Sequence, residues 1–387
     1  MKSTYEDSIL TIYPEGNIDT ANAEQVGKQI EEIRSLHPTG QLVLDLDELK
    51  YISSAGLRQI LKLKKKEKDL KLINCSSEIY EIFEMTGFTE MMDIQKGFRR
   101  MSVDGCEKIG EGSNGIVYRL NDDTIIKVYK NSDALDDIKR ERELARKALV
   151  LGINTAIPFD VVRVGDKYGS VFELLSAKSI TKWIISDPEN KDRYIRIFAD
   201  MLKEIHQTKV KDGLLPDARK TAIGWAEWLH GHIPEDTYEK LHRLIEDVPE
   251  SDMMIHGDYH TNNVHYDNDE AILIDMDTLS VGDPIFEFAS IYLAYQGYGI
   301  LDHSLIEEFL KLDWDTAAYI LNKLVEMYFD DKDEAYRNEL MEKAKVIGYT
   351  RMLRRTIKRT PENTELIDYT RNQLIDLVSR TDSLRME

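Results

Sequence analysis

The chain has 387 residues, of which 42% are hydrophobic and 32% charged, and a formal net charge of -20. That length exceeds one ordinary core and predicts two or three domains, and the composition is that of a soluble globular protein rather than a disordered chain. The acidity disfavours nucleic acid as a partner, since a phosphate backbone would be repelled. The lack of a long apolar run, and of a basic and apolar leader in MKSTYEDS, predicts no membrane association and a cytoplasmic location. Cys75 and Cys106 fit a reducing compartment and argue against a disulfide framework or a thiolate zinc site.

Residues 8–13, SILTIY, alternate apolar and polar as a half-buried strand does, and Gly16 with Asn17 reads as a turn. Thr20 and Asn22 precede a helical pattern over 23–36, with Val26, Ile30 and Ile33 at helical spacing, ended by Pro38, Thr39 and Gly40. QLVLDLDEL has the dense apolar centre of a buried parallel strand reached by a helical crossover. YISSAGL then leads into a helix through Lys68, a short strand LKLINC and a helix EIYEIFEMTGF. With an edge strand at Tyr5 counted loosely, the order is β-β-α-β-α-β-α, a small α/β layer domain over 1–98. Periodicity fails across QKGFRRMSV, 95–103, which marks a break.

CEKIGEGSNGIVYRLNDDTIIKVYK reads as two strands joined by a turn at Asn121 to Asp123. A helix over 137–151 and strands near 161–164 and 169–174 follow, giving a small β lobe over 104–175. The rest, 176–387, is mainly helical apart from one short unit over 254–279, with Ile320, Leu321, Leu324 and Met327 at helical spacing.

GEGSNGIV fits G-x-G-x-x-G-x-V, with Gly110, Gly112, Gly115 and Val117 at the fixed positions and Ser113 and Asn114 between the glycines. A dinucleotide fingerprint should open a helix, but IVYRL is β-branched and aromatic, so these glycines belong to a hairpin between strands. No Gly-Lys-Ser or Gly-Lys-Thr follows, which excludes a Walker loop. A glycine hairpin lies close over triphosphate oxygens because no Cβ keeps the backbone away. Lys127 on the next strand is placed to reach those phosphates. A buried lysine needs a carboxylate partner, and the helix supplies Glu141 and Glu143; apolar Ala145 and Ala148 at later helical positions favour Glu141. The bland alternative is a surface hairpin with a solvated lysine.

A second constellation bears on that choice. MMIHGDYHTNNVHYDNDEAILIDMDTL contains H-G-D-x-x-x-x-N, His256 to Asn263, and then a short strand ending in Asp275. Asn263 and Asp275 suit a hard, oxygen-seeking Mg²⁺, and Asp258 suits a base that accepts the proton of an attacking hydroxyl or orients it in line with a γ-phosphate. His256, Asp258, His260 and His265 also read as a zinc cluster of a hydrolase, which would leave the glycine hairpin and Lys127 unexplained.

GEGSNGIV, Lys127 in IIKVYK, HGDYHTNN and IDMD, in that order, make residues 104 to about 300 resemble the aminoglycoside phosphotransferase and choline kinase group. That resemblance implies a bilobal, protein-kinase-like fold with a helical C-terminal lobe over 176–387, ATP and Mg²⁺ as cofactors, and a hinge at Phe172, Glu173 and Leu174. It also implies a hydroxyl-bearing small molecule as acceptor, since GDPIFEFA begins seven residues after Asp275 and leaves little room for a peptide-docking segment. Glu287 stands where the group usually has aspartate. Asp277, Asp283 or acids near Glu326 are candidates to hold an amine on the acceptor, against the alternative of solvated carboxylates.

GNIDT, LVLDLDEL, YISSAGL and EMTGF make the first 98 residues resemble the STAS fold of anti-sigma factor antagonists. The resemblance implies regulation or partner docking, an anti-sigma factor or another STAS-binding protein as partner, and Ser54 as a phosphorylation site. Ser53 or Ser54 also suits a helix cap, and no general base is spaced beside them for a nucleophile. Together these features predict an ATP- and Mg²⁺-dependent phosphotransferase with a regulatory domain. Two rivals remain: a protein serine kinase modifying Ser54, and an ATP-binding signalling protein without turnover.

Overall fold

The computed structural model describes residues 1–112 and 114–386, so Ser113 of the glycine loop lies outside the described residues. The N-terminal part holds strands β1 (Lys2–Glu6), β2 (Ile9–Tyr13) and β3 (Gly16–Ile18), helix α1 (Ala23–Leu36), β4 (Gln41–Asp45) and β5 (Leu49–Ile52). Helix α2 (Ser54–Lys66), β6 (Lys71–Cys75), helices α3 (Ser77–Met85) and α4 (Phe88–Met91), and β7 (Asp93–Lys96) follow. The main sheet runs β1-β2-β4-β6-β7, with β1 antiparallel and the remaining pairs parallel. Leu42, Val43 and Leu44 of β4 are all buried, because a central parallel strand is covered on both faces.

Two local expectations need correcting. Gly16 and Asn17 do not form a simple turn but open β3, which pairs in parallel with β5. QLVLDLDEL is accordingly broken into β4 and β5, and the second piece carries the chain into YISSAGL. There Ser53 is the cap of α2, its side chain accepting from the amide of Gly56 at 3.3 Å, while Ser54 is the exposed first residue of the helix. Gly56 is a packing requirement: a Cβ there would come within 2.7 Å of Ile52 and 2.8 Å of Ile18.

The stretch 95–103 is also more ordered than its lost periodicity suggests. It ends β7 and then forms β8 (Arg99–Arg100), which pairs in parallel with a strand of the next sheet. That sheet comprises β8, β9 (Glu107–Glu111), β10 (Gly115–Arg119), β11 (Thr124–Tyr129), β12 (Pro158–Val164) and β13 (Lys167–Glu173), in the order β8-β12-β13-β11-β10-β9. Helix α5 (Leu135–Val150) lies between β11 and β12 in sequence. Two residues, Gly97 and Phe98, separate the two sheets, and Phe98 packs against the cluster of Tyr129, Ala134, Ile138, Val161 and Tyr168.

Beyond β13 come β14 (Lys178–Ser179) and helices α6 (Ile180–Ser186), α7 (Lys191–Gln207), α8 (Ala218–Trp228) and α9 (Glu235–Glu246). The strands β15 (Met254–Ile255), β16 (Val264–Asp267), β17 (Glu270–Leu273) and β18 (Ser280–Val281) interrupt the helices. The chain continues with α10 (Ile285–Tyr295), α11 (Ser304–Leu310), α12 (Trp314–Tyr328), α13 (Glu334–Arg359) and α14 (Thr364–Arg380). Every residue of α10 is buried, so it is the axis of the helical lobe rather than a surface helix. Isoleucine, leucine and aromatic side chains of α7, α10, α12 and α13 form one core around it. No described helix is long and apolar enough to cross a membrane. The molecule is thus a mixed α/β protein: an N-terminal strand and helix layer, then a two-lobed kinase-like fold with many helices in its second lobe.

Candidate active site

Lys127 lies on β11, its side chain 16% exposed, and its Nζ is 3.0 Å from Oε1 of Glu141 and 3.3 Å from Oδ1 of Asp275. Glu141 shares the inner face of α5 with Ile138, Leu144, Ala145 and Ala148, all buried. Glu143, two positions on, points outward and pairs with Lys147 at 2.6 Å. Tyr129, two residues along β11 from Lys127 and so on the same face, donates its hydroxyl to Oε2 of Glu141 at 2.6 Å. Burial works against the ammonium of Lys127, yet Asp275, Glu141 and Asp277 hold its pKa well above the ordinary lysine value. The lysine is therefore permanently charged, and it ties α5 of the first lobe to the end of β17 in the second.

The glycine segment is the connection between β9 and β10, as the alternation in IVYRL requires. The amide of Gly112 donates to the carbonyl of Gly115 at 2.9 Å, closing the turn, and the carbonyl of Asn114 accepts from the amide of Lys130. Gly110 and Val117 face each other in register, and Val117 pairs with Lys127 on the other side. Around Gly112 there is open space for a Cβ, whereas one at Gly115 would meet the carbonyl oxygen of Val128 at 2.7 Å. Gly115→Ala is expected to push β10 from β11 beside Lys127 and to cost about 1–3 kcal/mol, as overpacking does. Urea unfolding measures that loss; an unchanged midpoint would show that β11 yields freely.

At the expected hinge, the amide of Glu173 donates to the carbonyl of Ile157 and that of Leu174 to the carbonyl of Asp123, so both amides have partners within the first lobe.

The segment His256 to Asn263 is anchored mainly through its main chain, which leaves the carboxylate of Asp258 facing His260. Gly257 has φ +80°, a conformation glycine adopts without strain, and a Cβ there would lie 2.8 Å from the carbonyl oxygen of Thr278. Glu287, fully buried, accepts from the amides of His256 (2.6 Å) and Gly257 (2.9 Å). The carbonyl of Gly257 accepts from Nη1 of Arg351 and from Oγ of Ser290. Tyr259 stacks on Phe198 and donates to its carbonyl oxygen, and the hydroxyl of Tyr295 accepts from the amide of Thr261. Asn263 donates to the main-chain carbonyl of Asp258 at 3.0 Å, and the amide of Ile274 donates to the carbonyl of Asn263.

Burial opposes the charged form of Asp258, but His260, 3.7 Å away, with Arg351 and His256, holds the carboxyl well below the usual carboxylate range. Asp258 is thus ionised at neutral pH and 39% exposed, the state needed to receive a proton.

Asp275 sits at φ +65°, a strained conformation for a residue with a side chain, and starts the 3-10 turn Met276–Thr278 against which α5 packs. Asp277 in that turn has its pKa raised to about 7, by burial first and then by the charges of Asp275 and Glu141. Among the described residues, Lys127 is the cation that faces this group of carboxylates. Such an excess of negative charge, with Asp275 and Asn263 offering hard oxygen donors, fits a divalent cation of the Mg²⁺ type.

The zinc alternative fails on geometry. His256 uses Nε2 on the carbonyl of Ile274 and His265 uses Nδ1 on that of Ala177. Among the described residues no three His, Cys, Asp or Glu side chains form a metal-holding group. Of the acids expected to hold an amine, Asp283 accepts from the amide of Ile285 and Glu326 pairs with Lys323, so each already has a partner. Asp277 alone of those named lies at the site. Sequence reasoning missed Arg351, Ser290, Thr278, Tyr295 and Tyr129; the first four stand more than twenty residues from their partners, whereas Tyr129 carried a local signal, two residues from Lys127 on the same strand.

Two lobes joined at a hinge, a glycine hairpin over a lysine–glutamate pair, and an aspartate on a rigid loop define the class of kinase-like transferase folds. Residues 105–319 match the Phosphotransferase enzyme family, and the chain belongs to that family. Residues 2–101 match the STAS domain. Over 102 residues, 24% of this chain and 85% of the relative, the N-terminal part is 34% identical to BtrV of Bordetella bronchiseptica, proposed to be an anti-sigma factor antagonist. Among solved structures, the chain is similar to ADP-bound aminoglycoside phosphotransferase APH(2'')-Ib, with 16% identity and a TM-score of 0.50 over 77% of this chain and 98% of the other. A thermostable mutant of aminoglycoside phosphotransferase APH(4)-Ia with AMP-PNP and hygromycin B matches with 13% identity and a TM-score of 0.50, over 71% and 93%. At these identities the structures share the fold.

Proposed function

We propose that this protein transfers the γ-phosphate of ATP, with Mg²⁺, to a hydroxyl of a small molecule, and that its STAS domain serves regulation or partner docking. The observation that carries the proposal is Lys127, held at once by Glu141 of one lobe and Asp275 of the other. A cation in that position neutralises transferring phosphate oxygens while its two carboxylates keep it charged. Mg²⁺ would supply Lewis acidity and charge neutralisation, held by Asp275 and Asn263.

The residues of the chain do the positioning. The glycine hairpin from Gly110 to Gly115 presents main-chain amides to the phosphates, with Val117 beneath, and Glu173 and Leu174 border the base at the hinge. Asp258 receives the hydroxyl proton as the acceptor oxygen bonds to the γ-phosphorus, and the bond to the bridging oxygen breaks to release ADP. Ser54, exposed at the positive end of α2, suits a phosphate acceptor that controls docking, since phosphorylation would add charge to that surface.

Lys127→Ala is expected to weaken ATP binding about 10- to 100-fold, the loss of one charge-assisted contact. Calorimetry with Mg²⁺ present measures it. Wild-type protein that binds no nucleotide would end the proposal.

A further inference from the structure

A basic stripe begins at the loop that bears Asp258, although the protein carries a net charge of -20. From Lys343 to Arg359, in α13, there is no aspartate or glutamate, and the cations of the run include Arg351, Arg354, Arg355 and Lys358. Spaced three, four and seven residues from Arg351, these four lie along one face of the helix and extend about 10 Å from the catalytic loop at 1.5 Å per residue. Their starting point is fixed, because Arg351 reaches the carbonyl of Gly257 at 2.9 Å and its charge acts on Asp258.

Aromatic rings flank this stripe. The guanidinium of Arg351 lies 5.5 Å from the ring of Trp225, and that of Arg354 lies 5.9 Å from Trp228. Lys358 lies 4.8 Å from Trp228, and Arg355 lies 5.3 Å from Tyr298, to whose hydroxyl it also donates. Among the described residues none of these four cations has a carboxylate partner, whereas Lys343 and Lys345 on the preceding turns are paired with Glu339 and Glu342. Nε of Arg354 is buried and has no hydrogen-bond partner. Arg351 and Arg355 each use Nη1 within the protein, and a guanidinium held near a ring has further edge donors suited to a carboxylate or a phosphate.

We infer that the acceptor carries an anionic group, a phosphate or a carboxylate, as well as the hydroxyl that is phosphorylated. This rests on the phosphotransferase function proposed above and specifies the substrate class of that site. The hydroxyl lies at Asp258, and the anionic group extends along α13 towards Arg354, Arg355 and Lys358. In the transfer, the acceptor oxygen forms a bond to the γ-phosphorus and its proton passes to Asp258. The bond from that phosphorus to the β-γ bridging oxygen breaks, and ADP leaves with the electron pair. A polycationic aminoglycoside would meet four unpaired cations there, and the like charges disfavour it.

The test is calorimetry on the full chain saturated with ADP and Mg²⁺, titrated with inorganic phosphate, glucose 6-phosphate, gluconate, glucose and kanamycin. At least one of the three anions is expected to bind at millimolar concentration and more tightly than glucose or kanamycin. Comparing glucose 6-phosphate with gluconate separates phosphate from carboxylate recognition. Arg355→Glu with Lys358→Glu should weaken that binding tenfold or more, with ADP affinity unchanged as a check that the variant is folded. Kanamycin binding in preference to every anion, no binding by any anion, or anion binding indifferent to the charge reversals would overturn the inference. Failure of wild-type protein to bind ADP would instead remove the nucleotide function on which it rests.

Discussion

Asp258→Asn is expected to lower phosphate transfer about 10²- to 10⁴-fold, the range for removing a positioned general base. ATP affinity should stay near that of the unsubstituted protein. Asn263 donates to the main-chain carbonyl of residue 258, not to its side chain, so the substitution leaves that contact in place. The surrounding anchors from Glu287, Arg351, Ser290, Tyr295 and Phe198 are also untouched. Steady-state turnover on a confirmed acceptor, with calorimetric ATP binding beside it, separates the two effects. Transfer within tenfold of the original rate would show that Asp258 is not the base. Loss of binding together with turnover would point instead to a structural role.

Glu287→Ala should be the most destabilising substitution around the His256–Asn263 loop. It leaves the buried amides of His256 and Gly257 without an acceptor, and each orphaned group costs about 1–3 kcal/mol. The sum is a large part of the stability of an ordinary domain. The neighbouring Nε2 of His206, 3.8 Å from Glu287, would also lose its negative neighbour. Denaturant unfolding followed by the fluorescence of Trp225 and Trp228 reads the second lobe. Glu287→Gln keeps an acceptor oxygen for one amide and is expected to recover part of the loss. An alanine variant as stable as the parent would mean that water replaces the carboxylate at both amides.

Much of the site was legible because its pieces are local. The spacing of Gly110, Gly112 and Gly115 ahead of β-branched residues announced a hairpin, and the interval from Asp258 to Asn263 announced a loop carrying oxygen ligands. The helical phase that put Glu141 level with Ala145 and Ala148 chose it over Glu143, a choice a single helix face decides. Where that locality ended, expectations went wrong. Gly16 and Asn17 looked like a turn because the partner strand, Leu49–Ile52, lies some thirty residues away. The stretch 95–103 looked structureless because β8 is formed only by pairing with β12.

The sequence by itself therefore determined most of the elements, the glycine hairpin, the lysine and its glutamate, and the loop bearing Asp258. Only the tertiary structure decided that Glu287 carries the amides of His256 and Gly257, and that Arg351, ninety-three residues from Asp258, joins the same loop. It alone brought Asp277 against Asp275 and Glu141 and stacked the cations of α13 on Trp225, Trp228 and Tyr298. The physical reason is that helix and strand periods are written within a few residues, whereas the partner of a buried charge is set by how distant faces pack.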